Sequence, residues 1–311
     1  MSLPWFVLAH ACAAAAIALT AMPRALAQQA PAFRGGIDLV NVGVTITDRT
    51  GGLVTDLGPE DFEIQEDGRT QTISHFLAGD AVAEAAPNLH VGVLLDVSES
   101  MAGEIGFART AAIKFLNALA PAAEMTVVDF DTEVRVARFS RADFPRLVER
   151  IRQRKVSGLT ALYDAIGVYL DGATGQDGRT IMLLYTDGGD TRSSLSLPEL
   201  MELLRASDAT VYAIGSFGQQ SLSGRQPQER VLRQIAEVTG GQAFFPAGVK
   251  ELDKVYDQVL AELRAQYTIG YLSTNGKTDG AWRKVEVKVN KPGARGLRVR
   301  ARKGYFAPYK P

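Results

Sequence analysis

Between residues 89 and 265, short apolar runs rich in β-branched residues alternate with longer amphipathic segments, and no other feature of the chain constrains its fold as strongly. The apolar runs, typical of buried strands, are HVGVLLDV, MTVVDF with EVRVARF, TIMLLYT, ATVYAIGSF and QAFFPA. The other segments carry apolar residues at intervals of three and four, as helices do. These segments are FARTAAIKFLNAL, DFPRLVERIRQ, ALYDAIGVYLDGA, LPELMELLRAS, ERVLRQIAEVTG and ELDKVYDQVLAELRA. The alternation predicts an α/β fold with a doubly wound, mainly parallel sheet and helices on both faces.

The segments on either side of this region, residues 34–80 and 266–306, are patterned as short strands instead. Neither segment has enough strands to form a stable sheet alone. We therefore expect the two to complete one smaller β-sandwich-like domain, with the α/β domain of residues 89–265 inserted between them. In the second segment Arg298, Arg300 and Arg302 alternate with apolar residues, which predicts a strand with one solvated face rather than a binding patch.

The first 27 residues are patterned as a secretory signal peptide. Residues 2–22 contain no Asp, Glu, Lys or Arg, and the small residues Ala25 and Ala27 follow at the cleavage-site positions. This predicts a periplasmic or secreted protein. An uncleaved N-terminal anchor is the alternative, because a run of about 20 apolar residues can also span a bilayer. No second run of spanning length follows, so no membrane span is expected after this segment.

Charge and cysteine content exclude several classes of function. The formal net charge is −1, with 34 Lys and Arg against 35 Asp and Glu, so nothing favours nucleic acid as a partner. The single cysteine, Cys12, lies inside the predicted signal peptide. The mature chain therefore offers no thiol for catalysis or for a cysteine metal site.

Five oxygen-bearing side chains are predicted to meet at one edge of the sheet. Asp96, Ser98 and Ser100 follow the strand VGVLLD at every second position, Thr160 precedes a helix, and Asp187 ends the strand TIMLLYTD. In open α/β sheets, ligands bind beyond the carboxyl ends of the strands, where such loops converge. Carboxylates and hydroxyls without His or Cys suit Mg²⁺, with Mn²⁺ or Ca²⁺ as alternatives. The sequence therefore predicts a metal site made of these five residues.

The same residues have a simpler interpretation, because Asp, Ser and Thr after strands also cap helices. Of the neighbouring acids, Glu99 and Asp190 are expected to be solvated loop residues, and Asp164 to favour the first turn of its helix. We favour the metal site because the oxygen ligands come from three separate loops in the appropriate order.

The predicted site is suited to binding rather than to catalysis. Two carboxylates and three hydroxyls leave part of the coordination shell of a divalent ion open, and a carboxylate from a protein partner could complete it. No general base, second-metal cluster or Ser-His-Asp arrangement accompanies the five residues, so we expect no enzymatic activity. The expected partner is a protein that offers an Asp or Glu carboxylate.

Asp96-x-Ser98-x-Ser100 with Thr160 and Asp187 resembles the metal-ion-dependent adhesion site (MIDAS) of von Willebrand factor type A (VWA) domains. The resemblance implies a six-stranded, Rossmann-like sheet, Mg²⁺ held by these five residues, partly through water, and an acidic residue of a partner in the remaining position. Both flanking β segments resemble a bacterial VWFA-related group of exported proteins. The function this implies is metal-dependent adhesion or binding at the cell envelope.

Two other functions remain as alternatives. One is a structural component of the cell envelope, in which the metal only holds the three loops. The other is a metal-dependent hydrolase, which the missing base disfavours.

Overall fold

The described residues form one six-stranded sheet and two four-stranded sheets. The structure is a computed structural model that describes residues 39–79, 89–119, 124–173, 179–217, 222–291 and 296–309. The predicted signal peptide (residues 1–27), the following residues up to 38 and the linker at 80–88 lie outside the described residues.

In the part of the chain that the structure describes, the strands are β1 (Leu39–Thr47), β2 (Phe62–Glu66), β3 (Arg69–Gln71), β4 (Ile73–Leu77), β5 (Leu89–Asp96), β6 (Glu124–Phe130), β7 (Val134–Ser140), β8 (Arg179–Thr186), β9 (Thr210–Gly215), β10 (Gln242–Phe244), β11 (Tyr267–Leu272), β12 (Trp282–Val289), β13 (Arg298–Ala301) and β14 (Gly304–Phe306). The α-helices are α1 (Ile105–Ala118), α2 (Phe144–Gln153), α3 (Leu162–Ala173), α4 (Leu197–Ala206), α5 (Leu222–Val238) and α6 (Val249–Ala265). Within these residues, no helix is both long enough and apolar enough to cross a membrane.

The six-stranded sheet has the order β10-β9-β8-β5-β6-β7. Every neighbouring pair is parallel except β6 and β7, which form an antiparallel hairpin at one edge. The chain passes from β5 to β6 on one side and later returns to β8 on the other side of β5. Strand order therefore reverses between β5 and β8, and a doubly wound sheet opens a crevice at this point.

Both faces of this sheet are covered by helices. On β5, Val93 and Leu95 face a core shared with α1, α2 and α6. Leu94, between them, faces the opposite core, which contains residues of α3, α4 and α5. Successive side chains of a strand point to opposite faces, so a strand buried on both faces has to be apolar throughout. The predicted α/β, doubly wound, mainly parallel sheet is confirmed.

The other two sheets pack face to face. One has the order β13-β1-β11-β4 and the other β14-β12-β2-β3. Both sheets combine strands from the two ends of the chain: β1 pairs antiparallel with β11, and β2 pairs antiparallel with β12. Their inward side chains form one core, to which Val42, Ile64, Tyr267 and Val285 contribute.

Arg300 and Arg302 do not lie on a solvated face, as the sequence pattern predicted. Arg300 donates to the backbone carbonyl of Gly240 (3.1 Å) and forms an ion pair with the buried Glu262 of α6. Arg302 forms an ion pair with Asp208, just before β9. The prediction was wrong because β13 packs against the α/β domain, so the side of the strand that would meet solvent in an isolated sandwich meets α6 and the loop before β9.

A buried carboxylate joins the two sheets of the sandwich. Glu66 on β2 is 2% exposed and accepts hydrogen bonds from the hydroxyls of Tyr271 (2.9 Å), Tyr305 (2.8 Å) and Ser273 (2.6 Å). Burial and the bond to Glu66 raise the pKa of Tyr271, so its hydroxyl stays protonated and donates at neutral pH. The three hydroxyls replace the water that the carboxylate loses on folding.

Replacing Tyr271 by Phe should lower the free energy of unfolding by about 2 kcal/mol, because it removes one donor from a buried charged acceptor. Urea unfolding followed by circular dichroism measures the change. Tyr309→Phe is the matched control, since Tyr309 is 71% exposed and its hydroxyl should contribute less than about 0.5 kcal/mol. Equal effects of the two substitutions would contradict a special role for the Glu66 cluster.

Candidate metal centre

Two of the predicted ligands lie at the ends of neighbouring parallel strands. Asp96 is the last residue of β5, and Asp187 directly follows β8. Leu95 pairs with Tyr185 in the register of these strands. Asp96 and Asp187 therefore lie at the reversal of strand order, where the sheet opens its crevice.

Asp96 is fully buried and is held by two hydrogen bonds. Its Oδ1 accepts from the backbone N–H of Ser98 (2.9 Å), and its Oδ2 accepts from the hydroxyl of Thr186 (2.6 Å). The first bond turns the chain sharply after β5, so the next two predicted ligands follow at once. The hydroxyls of Ser98 and Ser100 lie 3.1 Å apart, with Ser98 buried and Ser100 exposed. The side-chain oxygens of this loop therefore form a row that extends from the buried Asp96 to the protein surface at Ser100.

Thr160 lies on a loop that is tied to the loops of the other ligands. The backbone N–H of Glu99 donates to the carbonyl of Gly158 (3.2 Å), which joins this loop to the one after β5. On the other side, the Thr160 carbonyl accepts from the N–H groups of Thr191 (2.9 Å) and Arg192 (3.0 Å) in the loop after β8. Thr160 itself is 5% exposed. The structure thus brings the three ligand-bearing loops together, with the Thr160 loop between the other two.

The turn after Asp187 depends on glycine. Gly188 has φ +81°, a left-handed conformation that residues with a Cβ rarely adopt. A Cβ at this position would also lie 3.1 Å from the Cβ of Gln228 on α5. The backbone N–H of Gly189 then donates to Oδ1 of Asp187 (3.0 Å), which fixes the carboxylate at 5% exposure. Gln228 therefore packs directly against the turn that positions Asp187.

The electrostatics of Asp96 differ from those of Asp129, a buried carboxylate on the neighbouring strand β6. Asp129, which pairs with Leu95 across β5 and β6, is neutralised by Arg150 and Arg154, each at 2.6 Å. No ion pair among the described residues includes Asp96. Burial, with a smaller contribution from the negative charge of the nearby Asp187, raises the pKa of Asp96 to about 6, against the hydrogen bonds from Ser98 and Thr186, which lower it. At neutral pH the site therefore holds a buried negative charge that a cation would stabilise.

The donor set at this edge suits a hard cation. The described residues contain no group of three or more His, Cys, Asp or Glu side chains placed to hold a metal ion. A site here therefore has to combine carboxylates with hydroxyls, and such ligands prefer Mg²⁺, Mn²⁺ or Ca²⁺. Asp96, Ser98, Ser100, Thr160 and Asp187 offer this combination on three adjoining loops.

Several residues that support the site were not singled out from the sequence. Thr186 orients Asp96, and the hydroxyl oxygen of Thr191 accepts a hydrogen bond from the Thr160 N–H (3.0 Å). Only the pairing of β5 with β8 places Thr186 beside Asp96, so the local pattern gave no signal for it.

Two acids near the site make specific contacts that the sequence did not predict. Asp190, expected to be a solvated loop residue, accepts from the Tyr163 N–H (3.2 Å) and the Ser193 hydroxyl (2.6 Å). Asp164 accepts from the N–H groups of Ser194 and Leu195, both at 2.9 Å. The two carboxylates cross-link the start of α3 and the loop after β8.

A family model for the von Willebrand factor type A domain matches residues 90–258. No curated protein matches the chain significantly. Among solved structures, the pilus adhesin SpaC from Lactobacillus rhamnosus GG in its open conformation is 11% identical, with a TM-score of 0.49 over 84% of this chain and 49% of that one. A von Willebrand factor type A protein from Catenulispora acidiphila is 15% identical, with a TM-score of 0.48 over 80% of this chain and 74% of that one.

A third solved structure, the conserved hypothetical protein BatB from Bacteroides thetaiotaomicron, is 14% identical, with a TM-score of 0.44 over 55% of this chain and 97% of that one. The chain spans about half the length of the pilus adhesin. At these identities and TM-scores, the three structures bear on neither the partner nor the activity of this chain.

Without metal, Asp96→Asn should raise the free energy of unfolding at pH 7 by about 1–3 kcal/mol. The pKa of Asp96 is higher in the folded chain than its usual 3.8, so its ionisation, as pH rises from about 4 to about 6, costs stability. Asparagine keeps the hydrogen-bonding shape without the charge, because the Thr186 hydroxyl can also accept. Urea unfolding in EDTA at pH 4 and pH 7 measures the effect, which should be larger at pH 7.

The matched control is Asp253→Asn, on the surface of α6, where the carboxylate is 49% exposed and pairs with Lys114. Its effect should stay below about 1 kcal/mol at both values of pH. A loss of stability in Asp96→Asn at pH 7 without metal would contradict the assignment of an uncompensated charge to this position.

Proposed function

Because the chain belongs to the von Willebrand factor type A family, whose model matches more than half of it, we propose that it binds an acidic group of a protein partner through a metal ion at the edge of its six-stranded sheet. The proposed ion is Mg²⁺, with Mn²⁺ or Ca²⁺ as substitutes, and the proposed ligands are Asp96, Ser98, Ser100, Thr160 and Asp187. The family supports protein interaction in general. The metal and the acidic partner group are the further steps of the proposal.

The observation that carries this proposal is the buried charge of Asp96. Its carboxylate has two hydrogen-bond donors and no cationic side chain, while Asp187 adds a second negative charge nearby. A divalent cation would supply the missing positive charge and would accept a further carboxylate as ligand. The exposed Ser100 marks the side from which a partner could approach.

The loops of the site are connected without any metal. Backbone hydrogen bonds join the Thr160 loop to the loops after β5 and β8, and Asp164 binds the loop after β8 to α3. These hydrogen bonds already hold the three loops side by side, which favours a binding role for the metal over a purely structural one. A preformed site loses little conformational entropy on binding. A low entropic cost is needed here, because a single acidic side chain contributes only a few contacts.

The surroundings of the site favour binding over hydrolysis. The two histidines among the described residues lie elsewhere: His90 is near the amino end of β5, at the opposite edge of the sheet, and His75 is on β4 of the sandwich. A metal-dependent hydrolase would need a general base within hydrogen-bond reach of the attacking water. We therefore propose a non-enzymatic role.

We place this function outside the cytoplasm, in the periplasm or beyond the cell. The support is the sequence of residues 1–27, with its uncharged apolar run and small residues at the cleavage positions. Retention by an uncleaved N-terminal segment would keep the same binding site at a membrane surface.

Mg²⁺ should stabilise the purified protein against unfolding, because a ligand that binds only the folded chain adds about 2.7 kcal/mol at 100 times its Kd. Differential scanning calorimetry in MgCl₂ and in EDTA should show this as a higher Tm with the metal. Asp187→Ala should lose the response, whereas Asp253→Ala, on the exposed surface of α6, should keep it. An equal Mg²⁺ response in both variants would reject the proposed ligands.

Partner capture should require both the metal and Asp187. The wild-type chain is immobilised and exposed to an extract of the native cell envelope in MgCl₂ or in EDTA, and bound proteins are identified by mass spectrometry. The partner should be missing in EDTA and with Asp187→Ala, and replacing its contacting Asp or Glu by Asn or Gln should weaken binding. Capture that is unchanged in EDTA would favour the structural envelope component instead.

A further inference from the structure

A polar cavity lies at the amino ends of the parallel strands β8 and β9, opposite the predicted metal site, where the six-stranded sheet meets the sandwich. It has a volume of about 190 Å³ and is lined by the start of β8, the end of α5 and parts of β1 and β11. Since one water occupies about 30 Å³ of liquid, the cavity has room for a small ion with several waters. The hydroxyl-bearing residues Thr180, Thr210 and Thr268 are part of its lining.

Arg179, the first residue of β8, brings a positive charge to this cavity. Its Nη1 donates to the carbonyl of Leu263 (3.4 Å), and its Nη2 donates to Oε1 of Gln266. Gln266 is 3% exposed and fixed between α6 and β11, so it holds the guanidinium in place. Only two of the five N–H donors of the guanidinium have partners among the described residues.

No carboxylate neutralises Arg179. None of the ion pairs among the described residues includes it, and burial lowers the pKa of its guanidinium, against a smaller raising effect of the Tyr212 hydroxyl. Arginine outnumbers acid in the lining, which contains Arg179, Arg205 and Arg302 against Asp208 alone. Asp208 pairs with Arg302 and Arg205 with Glu202, so the uncompensated charge belongs to Arg179.

A largely buried cation without a counterion is costly, because it has lost its water without gaining a negative partner. Other buried charges of this chain are neutralised by ion pairs: Glu262 pairs with Arg300, and Asp129 pairs with two arginines. Arg179 has instead an open cavity, free N–H donors and neighbouring hydroxyls. The fork of a guanidinium binds two oxygens of one anion side by side.

We propose that this cavity is a binding site for a small oxyanion, a phosphate or a carboxylate, with Arg179 as its principal ligand. The anion accepts from the free N–H groups of Arg179, and threonine hydroxyls of the lining donate to its remaining oxygens. Gln266 acts as a positioning residue, because its carboxamide oxygen orients the guanidinium. Since the cavity is lined from both the α/β domain and the sandwich, the bound anion stabilises their contact.

The test measures the Tm of the purified full chain with increasing inorganic phosphate or sodium acetate, at an ionic strength held constant with NaCl. At several times its Kd, the bound anion should raise Tm by about 2–4 °C. A response to phosphate identifies a tetrahedral oxyanion site, and a response to acetate identifies a carboxylate site. Isothermal titration calorimetry gives the Kd of the effective anion.

The variant Arg179→Met should lose the rise of Tm with the anion, although its Tm without anion can be higher because an unpaired buried charge is gone. Arg179→Lys keeps the charge but loses the paired N–H donors of the guanidinium, so its Kd for the anion should be at least about tenfold higher. This variant provides the test if Arg179→Met does not fold. Arg298→Met, an exposed arginine on β13, is the matched control and should behave as the wild type.

The absence of a rise of Tm with both anions would overturn the proposal. A rise of the same size in Arg179→Met or an unchanged Kd in Arg179→Lys would also overturn it, because general stabilisation by excluded salts does not depend on this side chain. Each of these outcomes is independent of Mg²⁺ and of the partner site at the other edge of the sheet.

Discussion

The parallel pairing of β5 with β8 is the contact on which the rest of the molecule depends. It closes the centre of the six-stranded sheet, and it places the ends of two buried strands side by side where the strand order reverses. Asp96 and Thr186 come into hydrogen-bond contact only through this pairing, and Asp187 follows one residue later. The apolar strands that make the sheet stable thus also force two carboxylates into one small region.

The buried carboxylates of this chain are stabilised in different ways. Glu66 accepts three hydroxyl hydrogen bonds inside the sandwich, and Asp129 is paired with arginines. Asp96 has two donors, a negative neighbour and no cation. An uncompensated buried charge lowers the stability of the chain, and a bound ion of the opposite charge would offset this cost. Asp96 has such a negative charge, and Arg179, at the amino ends of the strands, has a positive one.

The sandwich and the α/β domain are joined by polar contacts as well as by the chain itself. The helix α6 leads directly into β11, the central partner of β1, through the buried Gln266. Arg300 reaches from β13 to Glu262 and to the Gly240 carbonyl. A Cβ at Gly240 would lie 2.7 Å from the backbone of Ala301, so only glycine allows this close approach. Substitutions at this contact are therefore expected to lower the stability of both the sandwich and the α/β domain.

The sequence by itself determined the α/β architecture, because the spacing of apolar residues that distinguishes a helix from a strand is a local property of the chain. Strands that are apolar on both faces also have to be covered by helices on both sides. It also predicted the five oxygen ligands, which remain a proposed site, from their order at the ends of strands. It did not predict the contacts of Arg300, the role of Thr186 or the isolation of Arg179. Whether a charge is solvated, paired or left alone depends on residues distant in sequence, which only the packing of sheet, helices and sandwich brings together.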